Sequence, residues 1–141
     1  MKGDIYEKIY FAGAIRGGRE KQEDYHRIIE YLKNRNIVLT EIIGDATLSS
    51  DGEHLADREI YLRDINYIKL CDVLIAECSI ASLGVGYELA YAEKLGKRII
   101  VIFELCNDKK LSAMIGGNRK FEIVYYKNVD KLIDVLSEMG L

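Results

Sequence analysis

Residues 72–90 read DVLIAECSIASLGVGYELA, and the fold turns on how this stretch is parsed. Its first six residues, DVLIAE, form a short run rich in apolar and β-branched side chains, the signature of a strand covered on both faces. Val85, Glu88, Tyr91, Ala92 and Leu95 then recur at helical spacing, which predicts a helix over roughly 85–95. Between the two lies a loop carrying Gly84 and Gly86. A buried strand that feeds a helix through a glycine loop is the repeating half of a parallel α/β sheet.

The same strand signature occurs at 8–13 (KIYFAG), 37–41 (IVLTE), 98–103 (RIIVIF) and 121–126 (FEIVYY). Helical periodicity fills the intervals. Tyr25, Ile28, Ile29 and Leu32 share one face, as do Val129, Leu132, Ile133 and Leu136. Further helical patterns cover roughly 56–71, with a shorter candidate near 109–115. Alternating strands and helices, joined by right-handed crossovers, predict an α/β fold: a single doubly wound domain over 1–141, with a five-stranded parallel sheet flanked by helices, Rossmann-like or flavodoxin-like. The longest polar interruption, 44–53 (GDATLSSDGE), reads as a surface loop.

The chain has 141 residues, enough for one domain with a substantial core. An apolar content of 49% with 30% charged residues describes a globular protein and excludes a disordered one. The net charge of −3 argues against a nucleic acid polymer as partner, because such binding needs a basic face. No stretch approaches a membrane span. Cys71, Cys78 and Cys106 lack CxxC spacing and His26 and His54 stand apart, so no metal site is expected; a reducing cytoplasm suits the thiols.

Open α/β sheets bind ligands at the C-terminal ends of their strands. Two unusual loops fall there, 13–19 (GAIRGGR) and 79–86 (SIASLGVG). The first has the outline of a P-loop but carries Arg19 where lysine would stand and Glu20 in place of the magnesium-binding hydroxyl. It does not fit a dinucleotide fingerprint either. What is left is a flexible turn bearing Arg16 and Arg19, either a solvated glycine turn or a phosphate cradle at a helix end.

Two carboxylates interrupt apolar helical stripes. Asp64 sits among Ile60, Tyr61, Tyr67 and Ile68; Glu88 sits among Val85, Tyr91, Ala92 and Leu95. A carboxylate facing a core is costly unless paired, so each is either a hydrogen-bonded structural acid or part of a site. Two of them beside one strand suit glycosidic bond cleavage. Glu88, in the first turn of its helix, is expected to be held ionised by the macrodipole, as a nucleophile or electrostatic base. Asp64, mid-helix, is expected to have a raised pKa and to act as a proton donor or a substrate-orienting group. Tyr10 is either a core tyrosine or a donor to one of these acids.

With these residues assembled, the chain resembles the 2'-deoxynucleoside 5'-phosphate N-hydrolases, a branch of the nucleoside 2-deoxyribosyltransferase superfamily. The resemblance rests on IYFAGAIRGGR at 9–19, VLTE at 38–41, Asp64 after a charged helical start, SLGVGYE at 82–88 and SAMI at 112–115, and it spans about residues 8–126. It implies that Glu88 attacks C1' of the sugar to form a glycosyl ester that water then hydrolyses, with Tyr10 tuning Glu88 and Asp64 holding the sugar or assisting the departing base. It also implies a 5'-phosphate site built from Gly13, Ile15, Arg16, Gly17, Arg19, Ser82, Gly84 and Ser112, no cofactor or metal, and a homodimer in which Ser112 completes the neighbour's site. Ala14 departs from the family, which often has serine there.

Three other readings remain open: a ribonucleotide (CMP-type) N-glycosidase, a deoxyribosyltransferase acting between bases, and a nucleotide-sensing module that binds without cleaving. The arginine loop with Ser82 and Ser112 favours a phosphorylated substrate over the nucleosides that transferases use. Base preference has no readable code in the sequence.

Overall fold

The computed structural model describes residues 7–15, 21–40 and 55–141. The expected loop at 44–53, the end of the second predicted strand at Glu41, and Arg16, Gly17 and Arg19 lie outside the described residues. The elements run β1 (Lys8–Ala12), α1 (Gln22–Leu32), β2 (Ile37–Val38), α2 (Asp57–Leu70), β3 (Val73–Glu77), α3 (Leu83–Lys94), β4 (Arg98–Glu104), α4 (Ala113–Gly116), β5 (Glu122–Tyr126) and α5 (Val129–Glu138). The five strands pair in parallel in the order β2-β1-β3-β4-β5, the flavodoxin-like form of the doubly wound sheet.

Strand alternation divides the core into two layers. Ile9 and Phe11 of β1, with Ile75, Ile100 and Ile102, face α1 and α5, where Ile28, Ile29, Leu32, Leu132 and Leu136 cover them. Tyr10 and Ala12, with Leu74, Ala76, Ile99 and Val101, face the other way, onto Ile68 of α2 and Leu89 and Ala92 of α3. Because both faces are covered, the strands read as continuous apolar runs rather than alternating ones.

The helices match the sequence pattern except at two points: the short candidate near 109–115 is reduced to Ala113–Gly116, and α3 starts earlier than its periodicity indicates. α3 begins at Leu83, with Ser82 as N-cap accepting a hydrogen bond from the Val85 N–H at 3.3 Å, so the predicted start at 85 is late by two residues. Leu-Gly-Val-Gly is a poor helix-forming sequence, and the serine cap offsets that weakness.

β2 is only two residues long, and a side chain extends its pairing. Thr40 Oγ1 accepts from the Phe11 N–H at 2.8 Å and donates to the Phe11 carbonyl at 2.7 Å, which satisfies both backbone groups on the free side of β1. Thr40 is buried. Thr40→Val keeps the shape but strands two buried backbone groups, and should lower the unfolding free energy by about 1–3 kcal/mol; a urea transition unmoved by this substitution contradicts the account.

Candidate functional site

β1 and β3 are adjacent, yet the segment after β1 leads to α1 on one face and the segment after β3 leads to α3 on the other. The strand connections diverge there, at the switch point where such sheets hold ligands. Tyr10 belongs to the α2/α3 face of β1 and is 2% exposed. That placement aims its hydroxyl at α3, where it donates a hydrogen bond to Glu88 Oε2. Ala12 and its register partner Ala76 lie on the same face at the strand ends, where small side chains leave room above the sheet.

Electrostatics at this pair differ from the sequence expectation. Burial dominates and pushes the Glu88 carboxyl up to about 7; the Tyr10 hydrogen bond and the Arg63 charge pull it down, and the Asp64 charge pushes it up. The early start of α3 removes the helix-end stabilisation expected from sequence, while burial raises the acid. Glu88 lies in the second turn, not the first, and the macrodipole's effect fades beyond the first turn. The acid is poised near neutrality rather than held firmly ionised. Tyr10 is held well above the usual phenol range, by burial first and then by the charges of Glu88 and Asp64, so it remains a donor.

Asp64 is placed on α2 beside this pair, but not as an acid isolated in an apolar stripe. Its Oδ1 accepts from Arg63 Nε at 2.9 Å, and the side chains are 22% and 27% exposed respectively. Of its expected apolar neighbours only Ile68 is buried; Tyr61 is exposed and packs edge-on against Tyr87. The structure thus brings Tyr10, Glu88 and Asp64 together and adds Arg63, which sequence reasoning passed over because consecutive helical residues do not normally face each other.

Ser82, Gly84 and Ser112 lie elsewhere on α3 and α4. Ser82 and Ser112 both line a cavity of about 990 Å³ between α3 and the β4–α4 region, walled by Val85, Leu89, Leu111 and Ile115. None of Tyr10, Asp64 and Glu88 lines it, so within one chain Ser112 does not join the acids. Gly13 is buried and Ile15 half-buried at the end of β1. Ala14 is fully buried, and its N–H donates to the Tyr25 hydroxyl at 3.2 Å.

A second polar cluster, which the sequence does not reveal, lies at the end of β3. Glu77, fully buried at the end of β3, accepts from the Ser79 N–H at 2.9 Å, the Ser79 hydroxyl at 2.6 Å and the Tyr126 hydroxyl at 2.6 Å. Ser79 Oγ in turn accepts from the Glu104 N–H at 2.8 Å. This cluster ties the β3–α3 loop to the ends of β4 and β5. Lys21, 8% exposed, bridges Asp24 and Glu104 beside it. Among the described residues no group of three or more potential ligands is arranged to hold a metal ion, and no helix is long and apolar enough to cross a membrane.

The sheet order and the acids at its switch point define an α/β protein with a candidate site at the strand ends, and comparison with known proteins makes the class specific. The profile of the nucleoside 2-deoxyribosyltransferase family matches residues 9–123. The chain belongs to that family. It is 44% identical over 112 residues to a 5-hydroxymethyl-dUMP N-hydrolase of Tetraodon nigroviridis, covering 78% of this chain and 79% of that one. The human 5-hydroxymethyl-dUMP N-hydrolase is 41% identical over 133 residues, covering 89% of this chain and 76% of its own. Among solved structures, a CMP N-glycosidase, BcmB, of Clostridium botulinum superposes with a TM-score of 0.68 over 94% of this chain and 99% of that one. Its sequence identity is 17%, so the likeness concerns the fold.

The Glu88 carboxyl should titrate with a midpoint of about 7 when followed by carbon-13 NMR. Tyr10→Phe removes a hydrogen bond that favours the anion and should move the midpoint up; Asp64→Asn removes a like charge and should move it down. A wild-type midpoint in the ordinary carboxylate range contradicts this description.

Proposed function

We propose that the protein hydrolyses the N-glycosidic bond of 2'-deoxynucleoside 5'-monophosphates, releasing the free base and 2-deoxyribose 5-phosphate. The observation that carries this reading is the Tyr10 hydroxyl bound to a Glu88 carboxyl poised near neutrality at the sheet's switch point, in a chain that belongs to the nucleoside 2-deoxyribosyltransferase family. The relatives named as hydrolases of a deoxynucleoside monophosphate point to the same substrate class.

In the proposed mechanism, ionised Glu88 attacks C1' while the C1'–N bond breaks. The bonding electrons leave with the base, which takes up a proton. The oxocarbenium-like transition state is stabilised by the adjacent anion. Water then attacks C1' of the glycosyl ester, delivers its proton to solvent and frees the Glu88 carboxylate. Tyr10 would hold one Glu88 oxygen so that the other faces the sugar. Asp64, paired with Arg63, suits holding a sugar hydroxyl or assisting the base better than it suits an isolated proton donor.

The 5'-phosphate would bind at the loop of Gly13, Ile15, Arg16, Gly17 and Arg19 and at the start of α3. Gly84 supports this assignment. A Cβ there would meet only Ser82 Oγ at 3.8 Å, an ordinary contact, so the chain's own packing does not demand glycine although it costs the helix about 1 kcal/mol. Close approach of a ligand to the backbone accounts for it. Ala14 supplies no hydroxyl, and its N–H is already engaged by Tyr25, so the phosphate would rest on the other groups.

A homodimer completes the proposal. Leu83 and Met114 line the cavity shared by Ser82 and Ser112 and are 97% and 86% exposed, which suits burial against a second copy. Ser112 would then serve the neighbour's phosphate. The three unpaired cysteines suit a reducing compartment such as the cytoplasm.

Incubation with a panel of dNMPs and NMPs should release base from the deoxy series. Glu88→Ala should lower kcat by at least about 10³-fold, below the losses of about 10⁴–10⁶ seen when a nucleophile or its partner is removed, whereas Ser82→Ala should act mainly on KM. Release from NMPs alone would instead favour the ribonucleotide reading, a new nucleoside formed on adding a second base would favour transfer, and tight binding without cleavage would favour a sensor. Sharing of Ser112 predicts complementation: inactive Glu88→Ala and weak Ser112→Ala chains, mixed and re-equilibrated, should recover activity through heterodimers carrying one intact site. Activity no greater than the sum of the two separate preparations counts against sharing.

A further inference from the structure

Two carboxylates beside one tyrosine in a half-buried site carry a physical problem, since each anion raises the cost of the other. Among the described charged and titratable groups, Glu88 is hydrogen-bonded by Tyr10 of β1 and lies within the fields of Asp64 and Arg63 of α2. Asp64 is held at 2.9 Å by Arg63, whose contact is made through Nε, with both side chains largely covered. Residues 63 and 64 are consecutive on α2, where neighbouring side chains diverge by about 100°. A contact between them therefore requires the guanidinium to fold across toward the acid instead of extending into solvent.

We propose that Arg63 is a positioning residue of this site: its guanidinium orients the Asp64 carboxylate and supplies the positive charge that lets Asp64 and Glu88 be ionised together beside Tyr10. The inference rests on the reading of Glu88 as nucleophile and adds to it the group that sets the pH at which that nucleophile works. The direction of each effect agrees. Arg63 lowers the proton affinity of both Glu88 and Tyr10, opposing Asp64, which raises both.

The sign follows directly. Attack needs ionised Glu88, so kcat/KM falls as pH drops through the Glu88 pKa of the free enzyme. Removing the Arg63 charge removes a cation that favours the Glu88 anion, raises that pKa and moves the acid limb to higher pH.

The test is the pH profile of base release from a dNMP by wild type, Arg63→Gln and Arg63→Lys, with thermal melts confirming that each variant is folded. The wild-type acid limb should lie near pH 7, matching the Glu88 value of about 7. Arg63→Gln should shift it up by about one unit, the lower end of the range for a nearby opposite charge. Its deficit should therefore be roughly tenfold greater at pH 6 than at pH 9. Arg63→Lys should bring the limb most of the way back. An Arg63→Gln profile that falls equally at every pH, or an Arg63→Lys profile indistinguishable from Arg63→Gln, overturns the proposal. Glu88→Ala, run alongside, separates the two levels: an active Glu88→Ala enzyme defeats the nucleophile reading, while an inactive one with an unmoved Arg63→Gln limb defeats only the role of Arg63.

Discussion

The hydrogen bond from Tyr10 to Glu88 joins β1 to the helix that carries the acid, and much of the site's chemistry depends on it. It requires Tyr10 to point to the α2/α3 face, which strand alternation dictates once Ile9 and Phe11 are committed to the opposite core. It also requires α3 to pack on that face so that Glu88 sits over β1, which Leu89 and Ala92 secure by burial against the sheet. The hydrophobic layer therefore sets the geometry, and the polar pair exploits it. A buried phenol that remains protonated is a fixed donor, so the neighbouring carboxylate gains an ordered environment in place of solvent.

The cluster around Glu77 performs a comparable task one strand end away. An acid with no exposed surface is costly, and burial raises its pKa despite three donors. Those donors come from the β3–α3 loop and from β5, so keeping Glu77 satisfied fixes the path by which the chain leaves β3 and enters α3 at Ser82. The orientation of α3, and hence of Glu88, is in this way coupled to β4 and β5 through a polar network rather than through apolar packing alone.

The fold was legible because a parallel sheet covered on both faces leaves uninterrupted apolar strands, and DVLIAE and RIIVIF are unmistakable examples. The helix over 22–32 showed itself through Tyr25, Ile28, Ile29 and Leu32, all buried as their spacing indicates. The start of α3 was misread by two residues because glycines at 84 and 86 conceal a helix that a serine cap initiates. That small error carried the larger one: with Glu88 assigned to the first turn, the helix end appeared to settle its charge, whereas burial by elements distant in sequence settles it. Arg63 and the Glu77–Tyr126 contact, 49 residues apart, were invisible for a similar reason. Nothing in local periodicity records which side chain folds back onto a neighbour or which strand end supplies a donor.

Helix α3 consequently has two working sides. Glu88 addresses Tyr10 and Asp64, while Ser82, Val85, Gly86 and Leu89 border the cavity toward α4. Ser82 and Glu88 are separated by six residues, roughly 9 Å along the axis at 1.5 Å per residue. That span is of the order of a sugar phosphate, with the cap end favouring an anion through its N–H groups and the second turn lying beyond the strongest part of the dipole. An acid placed nearer the cap would compete with a phosphate for the same donors and would be locked in its ionised form. Set one turn deeper and bonded to Tyr10, it would leave the cap to the phosphate of the proposed substrate, and its proton affinity is set by burial, Tyr10, Asp64 and Arg63 instead. In the proposed function, the glycine-rich sequence that weakens the helix start would thus separate anion binding from nucleophile tuning along a single element.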